Sequence, residues 1–460
     1  VLHPDRLFPI ETKTRELARA LYQTVKDHPI ISPHGHTDPA WFALNAPFQD
    51  PLSLLITPDH YVLRMLYSQG VPLEMLGVNA PTTFDPREGW RVFARHFHLF
   101  RATPSALWLS HVFHEVFELE GALSEKTADH FFDVINKKLA TPEFTPRALY
   151  DRFKIEVLAT TDAATDELIH HQTIQRDFPR RIIPTFRPDA AVDPEHPDFS
   201  NQLAKLAELT GEDTESLQGY LKAMRKRRAF FKKMGATASD HGHPTSRTAD
   251  LNSIEGEKLF QRVQIGATPD EAELFRGFML TQFAEMSLDD GLTLQFHPGS
   301  HRNHNAQLFA RHGRDKGADI PVQMEFTRNL KPLLDKFGNA KNFTMILFTL
   351  DETTYARELA PLAGHYPALR LGPAWWFHDS PEGMIRFREQ TTETAGLYNT
   401  VGFNDDTRAF FSIPARHDVA RRIDCRMLAQ WVMEHRLSET DAFDVLQDLT
   451  HRLVKKAYQL

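Results

Sequence analysis

The stretch IISPHGHTDP, residues 30–39, decides how the rest of the chain is read. It is a short apolar run that ends in two histidines, His34 and His36, with Gly35 between them. Side chains at i and i+2 of a strand share a face, so this spacing aims both imidazoles at one place. Two neutral imidazoles beside a carboxylate suit zinc, manganese or iron, with positions left over for water or substrate. The expectation is a strand whose end carries half of a metal site.

Seven further apolar runs, rich in Val, Ile, Phe and Thr, recur between long helical patterns. They are FKIEVLATTD from Phe153, RRIIPTFRP from Arg180, KKMGATASDHG from Lys232, GLTLQFHPG from Gly291, NFTMILFTLDE from Asn342, ALRLGPAWWF from Ala368 and YNTVGFNDD from Tyr398. Such runs read as buried parallel strands alternating with helices. Eight units predict a distorted (β/α)8 barrel in one domain spanning residues 1–460. A bare barrel needs only about 250 residues, so the surplus is assigned to insertions.

The main insertion is placed at residues 62–150, where Leu109, Val112, Phe113, Val116 and Phe117, then Ala128, Phe131, Phe132, Ile135 and Leu139, fall at helical spacing. Shorter insertions are placed at residues 188–230 and 242–290. Ser438 and Asp441 mark the start of a closing helix by a capping-box pattern. The basic segment MRKRRAFFKKMG, from Met224, reads as the exposed face of a helix leading into the fourth strand.

With 53 Lys and Arg against 61 Asp and Glu, the chain carries a net charge of −8. That balance argues against general nucleic-acid or anionic-membrane binding, so an acidic substrate would need locally concentrated arginines. The single cysteine, Cys425, rules out an intrachain disulfide and fits a reducing compartment. No window approaches the roughly 20 apolar residues of a membrane span, and no signal peptide is visible in the first thirty residues. A cytoplasmic location is expected, and the composition is compatible with a homo-oligomer.

Barrel active sites lie where the strands end. The polar groups there are His34, His36, Asp162, Arg187, Asp240, His241, His297, Asp351, Trp375, Trp376, Asp406 and Arg408. The first and eighth strands of a closed barrel are neighbours, so His34, His36 and Asp406 are expected to meet at one divalent metal. Arg408 stands two residues beyond Asp406, either as a cation beside the metal or as half of a surface ion pair. Arg187, where Pro188 stops the third strand, is a candidate clamp for a carboxylate. His60 and Tyr61 open a helix behind Thr57, taken as its N-cap, and both can move protons. Trp375 and Trp376 offer faces for stacking or plain packing, and His297 and His241 are candidates to line a site.

Several landmarks in order resemble one known family. DHYVLRMLYSQGV, TTD, PTFRPD, SDHG, LQFHPGSHRNHN, GPAWWFHD and GFNDDTRAFFSIPARHDVARR follow the HGH across nearly the whole chain. Together they resemble the uronate isomerases, which interconvert glucuronate or galacturonate with their keto forms on an amidohydrolase-type barrel. The resemblance implies one divalent metal, usually zinc, on His34, His36 and Asp406. It also implies a small uronic acid held by His60, Tyr61, Arg187, Arg408, Trp375 and Trp376. The end of the fourth strand reads ATASDHG, without the lysine that a bridging carbamate needs, so a single metal is expected. The competing readings are a metal-dependent hydrolase on the same barrel and a sugar-acid binding protein without turnover.

Overall fold

A computed structural model describes residues 2–460. Seven of the eight predicted strand positions form one parallel ladder. In chain order the strands are β1 (Ile30–Ser32), β2 (Ile155–Ala159), β3 (Asp162–Ala163), β4 (Arg181–Ile183), β5 (Phe186–Arg187), β6 (Ala238–His241), β7 (Thr293–Phe296), β8 (Ser300–His301), β9 (Ile320–Pro321), β10 (Met345–Leu347) and β11 (Leu369–Leu371). The first sheet runs β1-β2-β4 and the second runs β3-β5-β6-β7-β10-β11, all parallel. β2 and β3 are two pieces of one barrel strand, as are β4 and β5. The Thr160 N–H to Ile183 C=O bond at 2.9 Å and the Asp162 N–H to Thr185 C=O bond at 3.1 Å carry the ladder across the breaks. Pro184 sits in the second break, where it has no N–H to give.

The eighth position is weaker than the sequence suggests. It pairs as a single parallel bridge between Leu371 and Thr400. Across the remaining seam the His36 N–H donates to the Thr407 C=O at 3.0 Å, and Ser32 Oγ donates to Asp405 Oδ1 at 3.1 Å. The outcome is a distorted barrel whose last joint is made by loop and side-chain bonds instead of a ladder. β8 and β9 form a short antiparallel pair outside it.

Alternation along the strands sorts the core. Ile31, Val157, Ile183, Ile346 and Val401 pack inside the barrel with Val454, Ala457 and Tyr458 of the closing helix. Tyr458 donates from its hydroxyl to Gln295 Oε1 at 3.1 Å, and Thr293 Oγ1 donates to the Ala457 C=O at 2.8 Å, so the chain's last helix plugs the barrel floor. Leu294, Phe296, Met345, Leu347, Leu369 and Leu371 face outward to the surrounding helices. The connection from β1 to β2 is helical, from Pro39–Leu44 to Pro146–Arg152, and its apolar residues form their own cluster with Phe410 and Phe411.

Two local expectations are corrected. The helix His60–Tyr67 is capped by Asp59, whose carboxylate accepts from the Tyr61 and Val62 N–H groups, and not by Thr57. The basic helix Leu217–Lys233 is present, but Arg227 and Arg228 are buried. Arg228 pairs with Asp290 at 2.6 Å and Arg227 donates to the Ala164 C=O at 2.8 Å, so these two charges brace the barrel instead of facing water.

Trp90 is fully buried in the helical connection, where its Nε1–H donates to the Ala128 C=O at 2.9 Å and its ring packs on Phe93, Phe113 and Phe132. Trp90→Ala should cost about 3–5 kcal/mol of stability by cavity formation. Chemical denaturation measures it, and a loss under about 1 kcal/mol would contradict this packing.

Candidate active site

One cavity of about 600 Å³ opens at the C-terminal ends of the strands. It is lined by His34, His36, His60, Tyr61, Arg187, His297, Trp375, Trp376, Asp406 and Arg408. Asp240 lines it as well, whereas the strand-end candidates His241, Asp162 and Asp351 do not. His241 is buried on the outer side of β6, its Nε2 3.0 Å from Ser239 Oγ and its ring 4.8 Å from that of Phe283, and it does not line the cavity. The period of two explains the correction: Asp240, not His241, points inward.

At the seam, His34 Nε2 and His36 Nε2 approach Asp406 Oδ1 at 3.5 and 3.1 Å. His34 is buried, and burial before all else lowers its pKa to about 4, so it remains the neutral imidazole a metal requires. Burial disfavours the Asp406 carboxylate, but His34 and His36 outweigh it and hold the pKa low. Asp406 adopts φ +36°, a backbone state that aspartate tolerates better than most residues. His34 Nδ1 and His297 Nε2 are buried without a partner. Three donors drawn together with orphaned ring nitrogens beside them fit a divalent cation.

Behind them stands a layer of supporting groups. His297 Nδ1 lies 2.7 Å from Asp240 Oδ1, and its ring stacks on His34 at 4.6 Å and on Phe348 at 3.8 Å. Gly372 makes room for this stack, because a Cβ there would fall 2.2 Å from the Phe348 ring. Arg187 pairs with Asp189 at 2.9 Å and Asp240 at 3.4 Å. Burial works against its charge, and the two carboxylates overcome that and raise its pKa. Gly242 is required here as well, since a Cβ would lie 2.7 Å from Arg187 Nη2.

Asp189, His241 and His243 also lie within reach of one another. Asp189 is already neutralised by the fixed guanidinium of Arg187 and accepts the Gly242 N–H, so this cluster reads as the brace of Arg187. Arg408 pairs with Asp315 at 3.0 Å and is partly exposed to the cavity. The His60 ring stacks on Trp376 at 5.3 Å. Burial and then Arg408 lower its pKa to about 3, so it is neutral at working pH. Tyr61 turns its hydroxyl to Asp379 at 2.8 Å. Asp240 stood among the strand-end groups without a role, and Asp379 and Arg416 carried no expectation at all. Inward alternation in β6 singles out Asp240, whereas nothing in local sequence marks Asp379 or Arg416.

A parallel barrel with a His-x-His and an aspartate at its closing seam, and arginines around the same cavity, defines a distorted (β/α)8-barrel protein with a candidate metal site at the strand ends. The glucuronate isomerase family model matches residues 10–458. The chain is 62% identical to a uronate isomerase of Phenylobacterium zucineum, covering 100% of this chain and 97% of the relative. It is 63% identical to a uronate isomerase of Rhizorhabdus wittichii, covering 100% and 98%. The crystal structure of glucuronate isomerase from Caulobacter crescentus superposes with a TM-score of 0.99 at 59% identity, covering 100% and 97%. The chain belongs to the glucuronate isomerase family and is an enzyme of the isomerase class.

Asp162, another strand-end candidate, lies outside the cavity lining. It is buried and accepts from Thr160 Oγ1 at 2.7 Å, beside His171. Burial pushes its carboxyl up to about 7, well above the unfolded value of about 3.9. The stability it contributes is complete below about pH 4 and is lost as the pH rises through 7. Asp162→Asn should therefore gain on the parent protein by up to about 1.4 kcal/mol per pH unit between those limits. Thermal midpoints across that range test this, and a pH-independent difference would contradict it.

Proposed function

We propose that the cavity interconverts aldose and ketose hexuronates, D-glucuronate with D-fructuronate and D-galacturonate with D-tagaturonate, by proton transfer through an enediolate. The observation that carries the reading is that His34, His36 and Asp406 share one cavity with Arg187 and Arg408. Family membership favours isomerisation over the hydrolase and binding-only alternatives.

Aldose–ketose conversion moves the proton on carbon 2 to carbon 1 and the proton on oxygen 2 to oxygen 1. Negative charge must be carried on oxygen between the two steps. His34, His36 and Asp406 would hold one divalent ion, and the nitrogen and oxygen donors point to zinc, which when bound supplies Lewis-acid stabilisation of that charge. Arg408 adds a fixed cation for the enediolate, and Arg187 orients the uronate carboxylate. Trp375 and Trp376 wall the site and limit water.

The base for the carbon-bound proton is chosen by charge state. Burial and the nearby Asp379 carboxylate raise the Tyr61 phenol well above its usual range, so a tyrosinate is not available at neutral pH. Asp406 is held ionised by its histidine neighbours, and its closest contacts to both run through Oδ1. We assign carbon-proton transfer to Asp406 and the oxygen-bound proton to Tyr61. His60, held neutral, serves as a hydrogen-bonding group rather than an acid.

Asp406→Asn keeps the shape and removes the charge. It should lower kcat by at least about 10²-fold while the thermal midpoint stays near that of the parent protein. Steady-state kinetics with D-glucuronate decide, and turnover equal to the parent's would end the assignment.

A further inference from the structure

Segments distant in sequence meet at Tyr61 and build something that the roles above do not use. The Tyr61 hydroxyl donates to Asp379 Oδ1 at 2.8 Å and accepts the Phe377 N–H at 2.8 Å. Phe377 has φ +65°, a turn that presents this N–H to the phenol. Arg416 donates from Nη1 to the other Asp379 oxygen, Oδ2, at 2.7 Å. Its guanidinium lies over the Trp108 ring at 3.6 Å, and Tyr61 meets the same ring edge-on at 5.8 Å. Asp379 is 8% and Arg416 4% exposed, so the ion pair is shielded from water. Tyr61, Asp379 and Arg416 all border the cavity.

A phenol has one O–H and accepts through its oxygen lone pairs. In Tyr61 the proton is committed to Asp379 and one acceptor position to Phe377. What remains for the cavity is an acceptor. A substrate hydroxyl can donate to it, and the isomerisation needs a hydroxyl proton collected from oxygen 2 and returned to oxygen 1.

We propose that Asp379, anchored by Arg416, is the positioning residue that aims Tyr61 and forms the far end of its proton relay. As the O2–H bond of the substrate breaks, its proton bonds to the phenol oxygen, and the Tyr61 proton passes to Asp379 Oδ1. The electron pair left on oxygen 2 forms the new carbonyl as the carbon-carbon double bond of the enediolate delivers its electrons to carbon 1, which takes the proton removed from carbon 2. The reverse relay returns one proton from Asp379 through Tyr61 to oxygen 1. Tyr61 ends each transfer as a neutral phenol, which fits a buried hydroxyl beside a carboxylate. Arg416 supplies the counter-charge beside Asp379 and fixes the carboxylate plane.

The proposal rests on the assignment of Tyr61 to the oxygen-bound proton, and a double-mutant cycle on metal-loaded enzyme separates the two. Tyr61→Phe should lower kcat by at least about 10²-fold. Asp379→Asn, which retains an acceptor for the phenol but loses the charge, should lower kcat tenfold or more with KM within about threefold. In the Tyr61→Phe background, Asp379→Asn should cost less than about twofold further, because both act through one hydroxyl. A full second loss in that background, or unchanged kcat for Asp379→Asn alone, overturns the relay while leaving Tyr61 in place. Unchanged kcat for Tyr61→Phe overturns both. Should Asp379→Asn fail to fold, Asp379→Glu keeps the charge for Arg416 and displaces the accepting oxygen, and the same cycle is run with it.

Discussion

The joint between the last and first strands governs the molecule. A barrel normally closes with a ladder of backbone bonds, but here the eighth position contributes one bridge at Thr400. The seam is held instead by the His36 N–H on the Thr407 carbonyl, by Ser32 on Asp405, and by Asp406 between two imidazoles. Asp405 is itself buried and fixed from its other oxygen by His417 at 2.9 Å. The two adjacent aspartates therefore divide the work: Asp405 pins the loop, and that pinning presents Asp406 to the cavity at φ +36°. Structure and chemistry share one strained turn, whose cost of about 1–3 kcal/mol the surrounding bonds must offset.

Electrostatics supports the proposed cation at this seam. Asp406, Asp240, Asp189 and Asp379 border the cavity, and His34 and His60 are held neutral by burial. Arg187 is shared by Asp189 and Asp240, and Arg416 is taken by Asp379. Asp406 is left facing His34 and His36, and among the described residues no guanidinium pairs with it. A buried carboxylate in that setting is costly unless a cation completes it. The same arrangement divides the cavity into a side at His34, His36 and Asp406, where the metal is proposed, and a phenol side at Tyr61 and Asp379, which suits the proposed reaction with its two different protons.

Much of this was legible in the sequence because it obeys short periods. The i, i+2 spacing of His34 and His36, the eight apolar runs and the helical spacing from Leu109 to Leu139 are local patterns, and each is set by backbone geometry. The same rule, applied to SDH, would have preferred Asp240 to His241, since alternate residues of β6 face opposite sides. Other features had no local signal. Asp59 caps its helix in place of Thr57 because the chain turns into the helix two residues later than the apolar pattern suggests. Arg228 is buried because Asp290, 62 positions along, waits for it. Asp379 and Arg416 reach Tyr61 from 318 and 355 positions away, contacts that only the closed barrel creates. The thin eighth strand likewise follows from seam bonding that no strand propensity encodes.

The most direct test of a metal-dependent proton transfer at the seam is isomerisation of D-glucuronate in heavy water, followed by proton NMR. It is run on protein stripped with chelator and on the same protein reloaded with zinc. The account predicts ketouronate from the reloaded protein alone, with solvent deuterium at carbon 1. Equal turnover after stripping, or no conversion of either D-glucuronate or D-galacturonate by the reloaded protein, would contradict it.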